Sequence, residues 1–190
     1  MSEIEIHPLT PQRSGDLFDF FDGPAFADNP AWRSCYCAFC HFDHQGGGWN
    51  LRAASRNRAA TEANIASGTM RGHIAYADGE PVGWVNAAPS ANYPAGNQLQ
   101  NGEDRSRIGL ILCFVVAKPW RGQGLARALL DAACERLKAE GMTHAEGNPR
   151  GAATADSENH FGPLALYLAA GFTEYARDDS DGSIYVRKAL

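Results

Sequence analysis

A run of nine apolar residues, from Ile108 to Val116, constrains the fold of this chain more than any other stretch of its sequence. Side chains alternate between the two faces of a β-strand, and along this run neither face carries a polar group. Such a strand needs an apolar partner on each face, as in the middle of a sheet with helices on both sides. The run therefore predicts a central strand that is covered on both faces.

Other periodicities predict strands and helices mixed along one chain. Two apolar runs, at residues 72–77 and 81–87, flank the sequence Asp78-Gly79-Glu80, which is typical of a hairpin turn. The strongest helix signal spans residues 124–140, where apolar residues recur at three- and four-residue spacing before Gly141. This order indicates a single α+β domain. Shorter strands are predicted at residues 3–9, 144–147, 172–176 and 183–187, and further helices at 14–21, 51–66 and 164–170.

The composition limits the size and the partners of that domain. With 190 residues, 44% of them hydrophobic, the chain can build one well-packed domain and is too short for two large ones. Its formal net charge of -5 disfavours nucleic acid and anionic membranes as the main partners. No stretch is long and apolar enough to span a bilayer, and the N-terminus lacks the layout of a signal peptide. We therefore expect a cytoplasmic protein whose five cysteines are mostly reduced.

The segment that carries the chemistry follows the apolar strand. Pro119 marks a turn, and Arg121-Gly122-Gln123-Gly124 then leads straight into the long helix. The glycines let the backbone approach a ligand closely, because they carry no Cβ. The first turn of a helix offers unpaired N–H groups and a partial positive charge. Together these features predict a binding site for a phosphate or a diphosphate.

The details of this loop separate it from two common phosphate loops. It has no Gly-Lys-Ser/Thr, as a nucleoside triphosphate loop would, and Gly122-Gln123-Gly124 lacks the third glycine of the dinucleotide pattern. The sequence Arg-x-x-Gly-x-Ala, from Arg121 to Ala126, resembles the acetyl-CoA motif of the GNAT superfamily of N-acetyltransferases. Residues 165–172, with Tyr167 four residues before Gly171, resemble the second signature of that family. Each glycine, and Tyr167 itself, would also suit an ordinary turn or core position, so the resemblance depends on their joint order and spacing.

The resemblance implies a fold and a cofactor site. The fold is the GNAT-like acyl-CoA N-acyltransferase fold, over a single domain of residues 1–190. It has α/β/α layers and a mixed, mostly antiparallel central sheet of about six or seven strands with helices on both faces. The pantetheine arm of acetyl-CoA would pair with the backbone of Phe114, Val115 and Val116. Backbone amides would hold the diphosphate at Arg121, Gly122, Gln123, Gly124, Leu125 and Ala126.

The same resemblance implies a reaction. A small-molecule or peptide amine would attack acetyl-CoA directly in a ternary complex, and Tyr167 would protonate the CoA thiolate. The family fixes no single general base. Glu146 is our first candidate for that role, and His160 and Glu158 are alternatives. Homodimers are frequent in the superfamily, so a homodimer is also compatible with the resemblance.

The segment 32–50 is rich in cysteine and aromatic residues. Cys37 to His41 fits the haem-attachment pattern Cys-x-x-Cys-His, but that attachment requires export. Zinc ligation by residues 35–44 is an open alternative, although Cys-x-Cys is tight for a tetrahedral site and no metal is expected. A subgroup of GNAT-like proteins has a similar segment. Our interpretation is that the segment lies over the acceptor pocket, with the acceptor contacted by Cys35, Tyr36, Trp84 and Asn86; core packing is the alternative.

Two other function classes remain open from the sequence. An acetyl-CoA-binding sensor would keep the residues from Arg121 to Ala126 and would not need Tyr167. A zinc or redox protein would instead be built around the cluster from Cys35 to His44. The predicted loop at residues 88–103 and the cysteine segment are expected to determine which acceptor is used.

Overall fold

The computed structural model describes residues 2–94, 105–151, 156–179 and 182–190 of the chain. The chain forms one mixed sheet with helices packed against both of its faces. The strands are β1 (Ile4–Pro8), β2 (Gly72–Ala77), β3 (Glu80–Pro89), β4 (Ile108–Val116), β5 (His144–Gly147), β6 (Thr173–Asp178) and β7 (Ser183–Ala189). The α-helices in these ranges are α1 (Ser14–Asp22), α2 (Ala54–Ala66), α3 (Leu125–Ala139) and α4 (Leu164–Ala169).

The sheet has seven strands in the order β1-β2-β3-β4-β5-β7-β6. Every neighbouring pair is antiparallel except β4 and β5, which run parallel. The hairpin between β2 and β3 turns at Asp78 and Gly79, whose φ angles of 50° and 85° suit a tight hairpin turn. The predicted α+β fold, with a mostly antiparallel sheet and helices on both faces, is confirmed.

Strand β4 lies between two hydrophobic cores, as its apolar run predicts. Ile108, Leu110 and Leu112 face the core that contains α1 and α2, whereas Ile111 and Phe114 face the core that contains α3 and α4. A Cβ at Gly109 would lie 2.5 Å from a Leu137 methyl carbon, so glycine lets α3 pack closely on the sheet.

The starts of two predicted helices shift in the structure. The helix predicted at 51–66 begins at Ala54, because Leu51 ends a short 3-10 turn and Arg52 and Ala53 have extended backbone. The helix predicted at 124–140 begins at Leu125, and Gly124 precedes it in a left-handed conformation. Both shifts are local and leave the element order unchanged.

Residues 24–51, which we call the N-terminal cover, connect α1 to α2 through a series of short 3-10 turns. The cover packs against the core formed by α1, α2 and the sheet. The predicted loop at 88–103 is described only in part: β3 extends to Pro89, the short turn Ser90–Asn92 follows, and residues 95–103 lie outside the described part. None of the helices in the described ranges has the length and apolar character needed to cross a membrane.

Candidate functional site

A cavity of about 1110 Å³ lies between the second half of β4, the start of α3 and the N-terminal cover. The cavity brings most of the predicted cofactor residues to one surface. Those that line it are Phe114, Val115, Val116, Arg121, Gly122, Gly124, Leu125 and Ala126. Gln123 is the exception, and its Nε2 donates to the Pro119 carbonyl at 2.7 Å.

One edge of β4 is open along this cavity. The parallel pairing with β5 runs from Ile108–His144 to Ile111–Gly147 and ends there, while β4 continues to Val116. Beyond Ile111 the strand pairs with β3 on its other side. Its second half can therefore offer backbone groups to an extended ligand, because a strand edge without a partner strand presents N–H and C=O groups.

The loop before α3 presents its backbone at the other end of the cavity. Gly122 and Gly124 have φ angles of 73° and 84°, a left-handed conformation that glycine adopts at no steric cost. The N-cap residue of α3 is Gly124, which has no side chain that could cap the helix. The first amides of the helix therefore have no acceptor within the helix and can bind an anion. Arg127, in the first turn of α3, and Arg150 also line the cavity and add positive charge to it.

The Arg121 side chain joins the loop to the N-terminal cover. Its guanidinium donates to both carboxylate oxygens of Asp28, at 2.6 and 3.1 Å, and its Nε donates to the Val116 carbonyl at 2.9 Å. The pKa of Asp28 is lowered, chiefly by the hydrogen bond from Arg121. No local sequence pattern pointed to this pair, because the two residues lie far apart along the chain.

Tyr167 lies at the point where β4 and β5 separate. Its hydroxyl donates to the Phe161 carbonyl at 2.8 Å and lies 3.3 Å from the Ile111 carbonyl. A Cβ at Gly147 would come within 2.6 Å of this hydroxyl, so glycine makes room for it. Burial raises the pKa of Tyr167, which keeps the hydroxyl protonated. The ring is fully buried and packs edge-on against Phe114, which lines the cavity.

A general base needs a free carboxylate oxygen beside the substrate, whereas Glu146 is buried between two arginines. Its Oε1 accepts two hydrogen bonds from Arg187, at 2.6 and 2.8 Å, and its Oε2 accepts one from Arg105 at 2.7 Å. The residue is 3% exposed and does not line the cavity. Both carboxylate oxygens are thus engaged by guanidinium groups, an arrangement typical of a structural ion pair.

The other proposed bases differ in position. The His160 ring lines the cavity and contacts the Trp32 ring, with 4.8 Å between their centroids. Glu158 is not among the side chains that the structure describes.

Of the four predicted acceptor residues, Cys35 lines the cavity, whereas Tyr36, Trp84 and Asn86 do not. Cys35 lines the cavity together with the neighbouring aromatic residues Trp32, Phe39 and Trp49. Tyr36 is buried beside α1, where its hydroxyl bonds to Asp22 at 2.5 Å. Trp84 and Asn86 are also buried, and they lie behind the wall rather than on it.

Trp84 and Asn86 direct their side-chain N–H groups at the sulfur of Cys37. The indole Nε1 lies 3.4 Å from this sulfur and the Asn86 Nδ2 lies 3.1 Å from it. Two further cysteines lie beside it: Cys113 is the strand partner of Asn86, and the Cys40 thiol donates to the adjacent Leu112 carbonyl at 3.7 Å. We call Cys37, Cys40 and Cys113 the thiol cluster; all three line the cavity.

The thiol cluster divides its protons unequally. Burial alone would raise the pKa of Cys37, but donors from Cys113, Cys40, Asn86 and Trp84 hold that pKa well below its ordinary value. Donation to Cys37 raises the pKa of Cys40 and of Cys113. Cys37 is therefore the member of the cluster that most readily exists as a thiolate. The sequence revealed the cysteines of residues 35–40 but not the role of Cys113, which the β3–β4 pairing brings to them.

Within the described ranges, no three histidine, cysteine, aspartate or glutamate residues are arranged to bind a metal ion. The zinc alternative for residues 35–44 consequently receives no support from their arrangement.

Comparisons with known proteins agree with this geometry. The family model described as "Acetyltransferase (GNAT) family" matches residues 32–159. No curated protein matches the sequence. A GNAT-family acetyltransferase from Streptococcus pneumoniae is similar in fold, with a TM-score of 0.56 at 17% identity, covering 99% of this chain and 100% of the other.

Two further solved structures are similar over nearly the whole chain. An N-acetyltransferase from Thermoplasma acidophilum in complex with coenzyme A has a TM-score of 0.59 at 14% identity and covers 99% of both chains. A ribosomal-protein-alanine N-acetyltransferase from Brucella melitensis has a TM-score of 0.55 at 14% identity, covering 98% of this chain and 99% of the other. At these identities the likeness concerns the fold.

Proposed function

Because this chain belongs to the GNAT family of acetyltransferases, we propose that it is an N-acetyltransferase that moves the acetyl group of acetyl-CoA to an amine. The observation that carries the proposal is the single cavity that joins the open edge of β4 to the N-terminus of α3. One end of this cavity suits an extended, amide-bearing arm, and the other suits a diphosphate. Acetyl-CoA contains both groups and supplies the acetyl thioester.

The donor would be held mainly by backbone groups. Residues Phe114, Val115 and Val116 would pair with the pantetheine arm, since this part of β4 lacks a β5 partner. The amides of the residues from Arg121 to Ala126 would hold the diphosphate, as expected for a glycine loop at a helix N-terminus. Arg127 and Arg150 are placed to offset the remaining phosphate charge.

The acceptor amine would enter beside the N-terminal cover. Trp32, Cys35, Phe39 and Trp49 form an apolar and aromatic wall there, on the same cavity as the proposed donor site. Donor and acceptor can then be bound together, which is what direct attack in a ternary complex requires. A small-molecule amine or a peptide amine fits such a wall. The name of the Brucella protein, a ribosomal-protein-alanine N-acetyltransferase, is in keeping with a peptide amine as the acceptor.

Two side chains would handle protons. We assign the acid role to Tyr167, because its hydroxyl stays protonated and lies where β4 and β5 separate. To act, this hydroxyl must exchange its bond to the Phe161 carbonyl for one to the leaving thiolate. We assign the base role to His160 rather than to Glu146, because His160 lines the cavity and imidazole is suited to accepting a proton near neutral pH.

Two measurements test this proposal. Titration calorimetry with coenzyme A should show binding, and a panel of small-molecule and peptide amines should show CoA release from acetyl-CoA. Binding without CoA release for any amine would favour a sensor instead of an enzyme. Absence of binding by folded protein would remove the proposal.

A further inference from the structure

Three cysteines from two separate parts of the chain meet on the lining of the cavity. Cys37 and Cys40 belong to the N-terminal cover, and Cys113 belongs to β4. Cys113 is the strand partner of Asn86, whose Nδ2 lies 3.1 Å from the Cys37 sulfur. The Cys40 thiol donates to the carbonyl of Leu112, the residue before Cys113, at 3.7 Å. Ordinary core cysteines need no such contact, since a buried thiol packs as a small apolar group.

The backbone of Cys37 is held in an unfavourable conformation. Tyr36 and Cys37 have φ angles of 48° and 58°, in the left-handed region that residues with a Cβ rarely adopt. Surrounding contacts hold this backbone in place: Thr61 Oγ1 donates to the Tyr36 carbonyl at 2.9 Å, and the Tyr36 hydroxyl bonds to Asp22. Backbone strain maintained in this way tends to occur at functional sites.

A β-bulge brings Cys113 into the cluster. The register of β3 and β4 pairs Asn86 with Cys113 and Ala87 with Ile111, so Leu112 is the extra residue. An extra residue changes the face to which the following side chain points. Cys113 therefore packs on the same core as Leu112, the core that also contains Cys37.

We propose that Cys37 is a peroxide-reactive cysteine, and that the sulfenic acid formed on it is captured as a disulfide by the contacting thiol of Cys40 or Cys113. The cluster supplies both the reactive sulfur and a neighbouring thiol that can resolve it. The asymmetry of protonation described above supports the assignment, since the thiolate is the reactive form of cysteine.

The proposed chemistry has two steps. The Cys37 thiolate attacks one oxygen of hydrogen peroxide, so an S–O bond forms, the O–O bond breaks and hydroxide leaves as water after taking a proton. The thiol of Cys40 or Cys113 then attacks the Cys37 sulfur, so the S–S bond forms, the S–O bond breaks and water leaves with the thiol proton. Peroxide is reduced and the pair of thiols is oxidised.

The position of the thiol cluster on the cavity lets peroxide reach Cys37, and it means that oxidation of Cys37 would alter the cavity wall. Cys37 is 3% exposed, but its surface lies on the cavity, which admits molecules much larger than peroxide. A disulfide there would change the wall between the proposed donor and acceptor sites. This consequence for activity rests on the proposed function; the oxidation itself does not.

Thiol mapping of the full chain tests the inference. The reduced protein would be treated with limiting hydrogen peroxide, its remaining thiols alkylated, and its peptides analysed by mass spectrometry. We expect a disulfide between Cys37 and Cys40 or Cys113, reversible by dithiothreitol. Cys37→Ser should abolish peroxide-dependent thiol loss. In the double variant Cys40→Ser with Cys113→Ser, no resolving thiol remains in the cluster, so a 1,3-diketone probe should label the sulfenic acid that peroxide forms on Cys37.

Cys134 provides the matched control. It is a buried cysteine of α3 away from the cavity, and burial raises its pKa to about 11. Cys134→Ser should leave peroxide oxidation unchanged, and Cys37 should react at least about tenfold faster than Cys134. Equal reaction of Cys134, a disulfide that excludes Cys37, or full retention of thiols would overturn the inference. None of these outcomes depends on CoA binding or amine acetylation, so a failure here is distinct from a failure of the proposed function.

Discussion

The guanidinium of Arg121 donates hydrogen bonds to both carboxylate oxygens of Asp28 and thereby connects the N-terminal cover to the loop that precedes α3. The same guanidinium reaches the Val116 carbonyl at the end of β4. One side chain therefore connects three walls of the cavity. The side chains of the pair are 31% and 25% exposed, so water screens the attraction only in part.

Asp28→Asn should loosen the cover. Hydrogen exchange of residues 24–35 should become faster, with a loss of about 1 kcal/mol or less in global stability because the pair is partly exposed. Asp131→Asn is the matched control, since Asp131 pairs with Arg127 within α3 and joins no separate segments. Equal protection of residues 24–35 in both variants would contradict the role of this pair.

The pH dependence of that contact follows from the lowered pKa of Asp28. A carboxylate with a lowered pKa contributes stability above its unfolded pKa of about 3.9, and this is lost as the pH falls through the folded value. Protection of residues 24–35 should therefore persist at pH 4 and decline only below it. Hydrogen exchange measured across this range checks the sign.

Gly124→Ala should weaken coenzyme A binding. Alanine at a φ of 84° costs about 1–2 kcal/mol and displaces the amides at the start of α3. Gly141→Ala introduces the same strain at the other end of the helix, where φ is 87°. Both variants should lose similar stability in urea titrations, but only Gly124→Ala should lose affinity in calorimetry. Equal affinity in the two would show that the loop amides do not hold the ligand.

Tyr167→Phe should lower turnover with little effect on acetyl-CoA binding. Loss of general acid help costs typically about 10²–10⁴-fold in rate. Loss of the bond to the Phe161 carbonyl should cost only about 1 kcal/mol of stability. Steady-state kinetics and calorimetry on the same preparation separate these effects, and unchanged turnover would remove Tyr167 from the mechanism.

Glu146→Gln should destabilise the fold. Removing the charge takes a buried carboxylate away from Arg105 and Arg187, at a cost of about 3 kcal/mol or more. Glu140→Gln is the control, because Glu140 also binds two arginines but is 24% exposed, and it should cost under about 1 kcal/mol. A Glu146→Gln protein with normal stability and very low turnover would restore the general-base hypothesis.

His73 should make the stability fall in mild acid. Burial, and then the nearby charge of Arg136, lower the pKa of His73 to about 4. The neutral form is favoured in the fold, so its stability is fully present above the unfolded pKa of about 6.5 and is lost as the pH falls toward 4. Between pH 7 and 5 the free energy of unfolding should drop by about 2 kcal/mol more in the wild type than in His73→Gln. Parallel urea titrations at the two pH values would show whether this difference exists.

The sequence alone determined the elements and the cofactor loop, because these depend on local patterns. The apolar run from Ile108 to Val116 required cover on both faces, and the glycines between Arg121 and Leu125 marked the start of α3. The position of Tyr167 before Gly171 could also be recognised from local order. The start of α2 was misplaced by three residues, because Leu51, which is 90% exposed, ends a 3-10 turn instead of beginning the helix.

Only the tertiary structure decided which side chains reach the cavity. The sequence led us to expect Trp84 and Asn86 to contact the acceptor, but in the structure their side chains donate to the Cys37 sulfur and do not line the cavity. It also made Glu146 the first candidate for the general base, but Arg187 binds its carboxylate because β5 and β7 pair. Such contacts join residues that are distant in the chain, and strand register and a single bulge set them. No local pattern encodes that register, because it depends on how all seven strands pack at once.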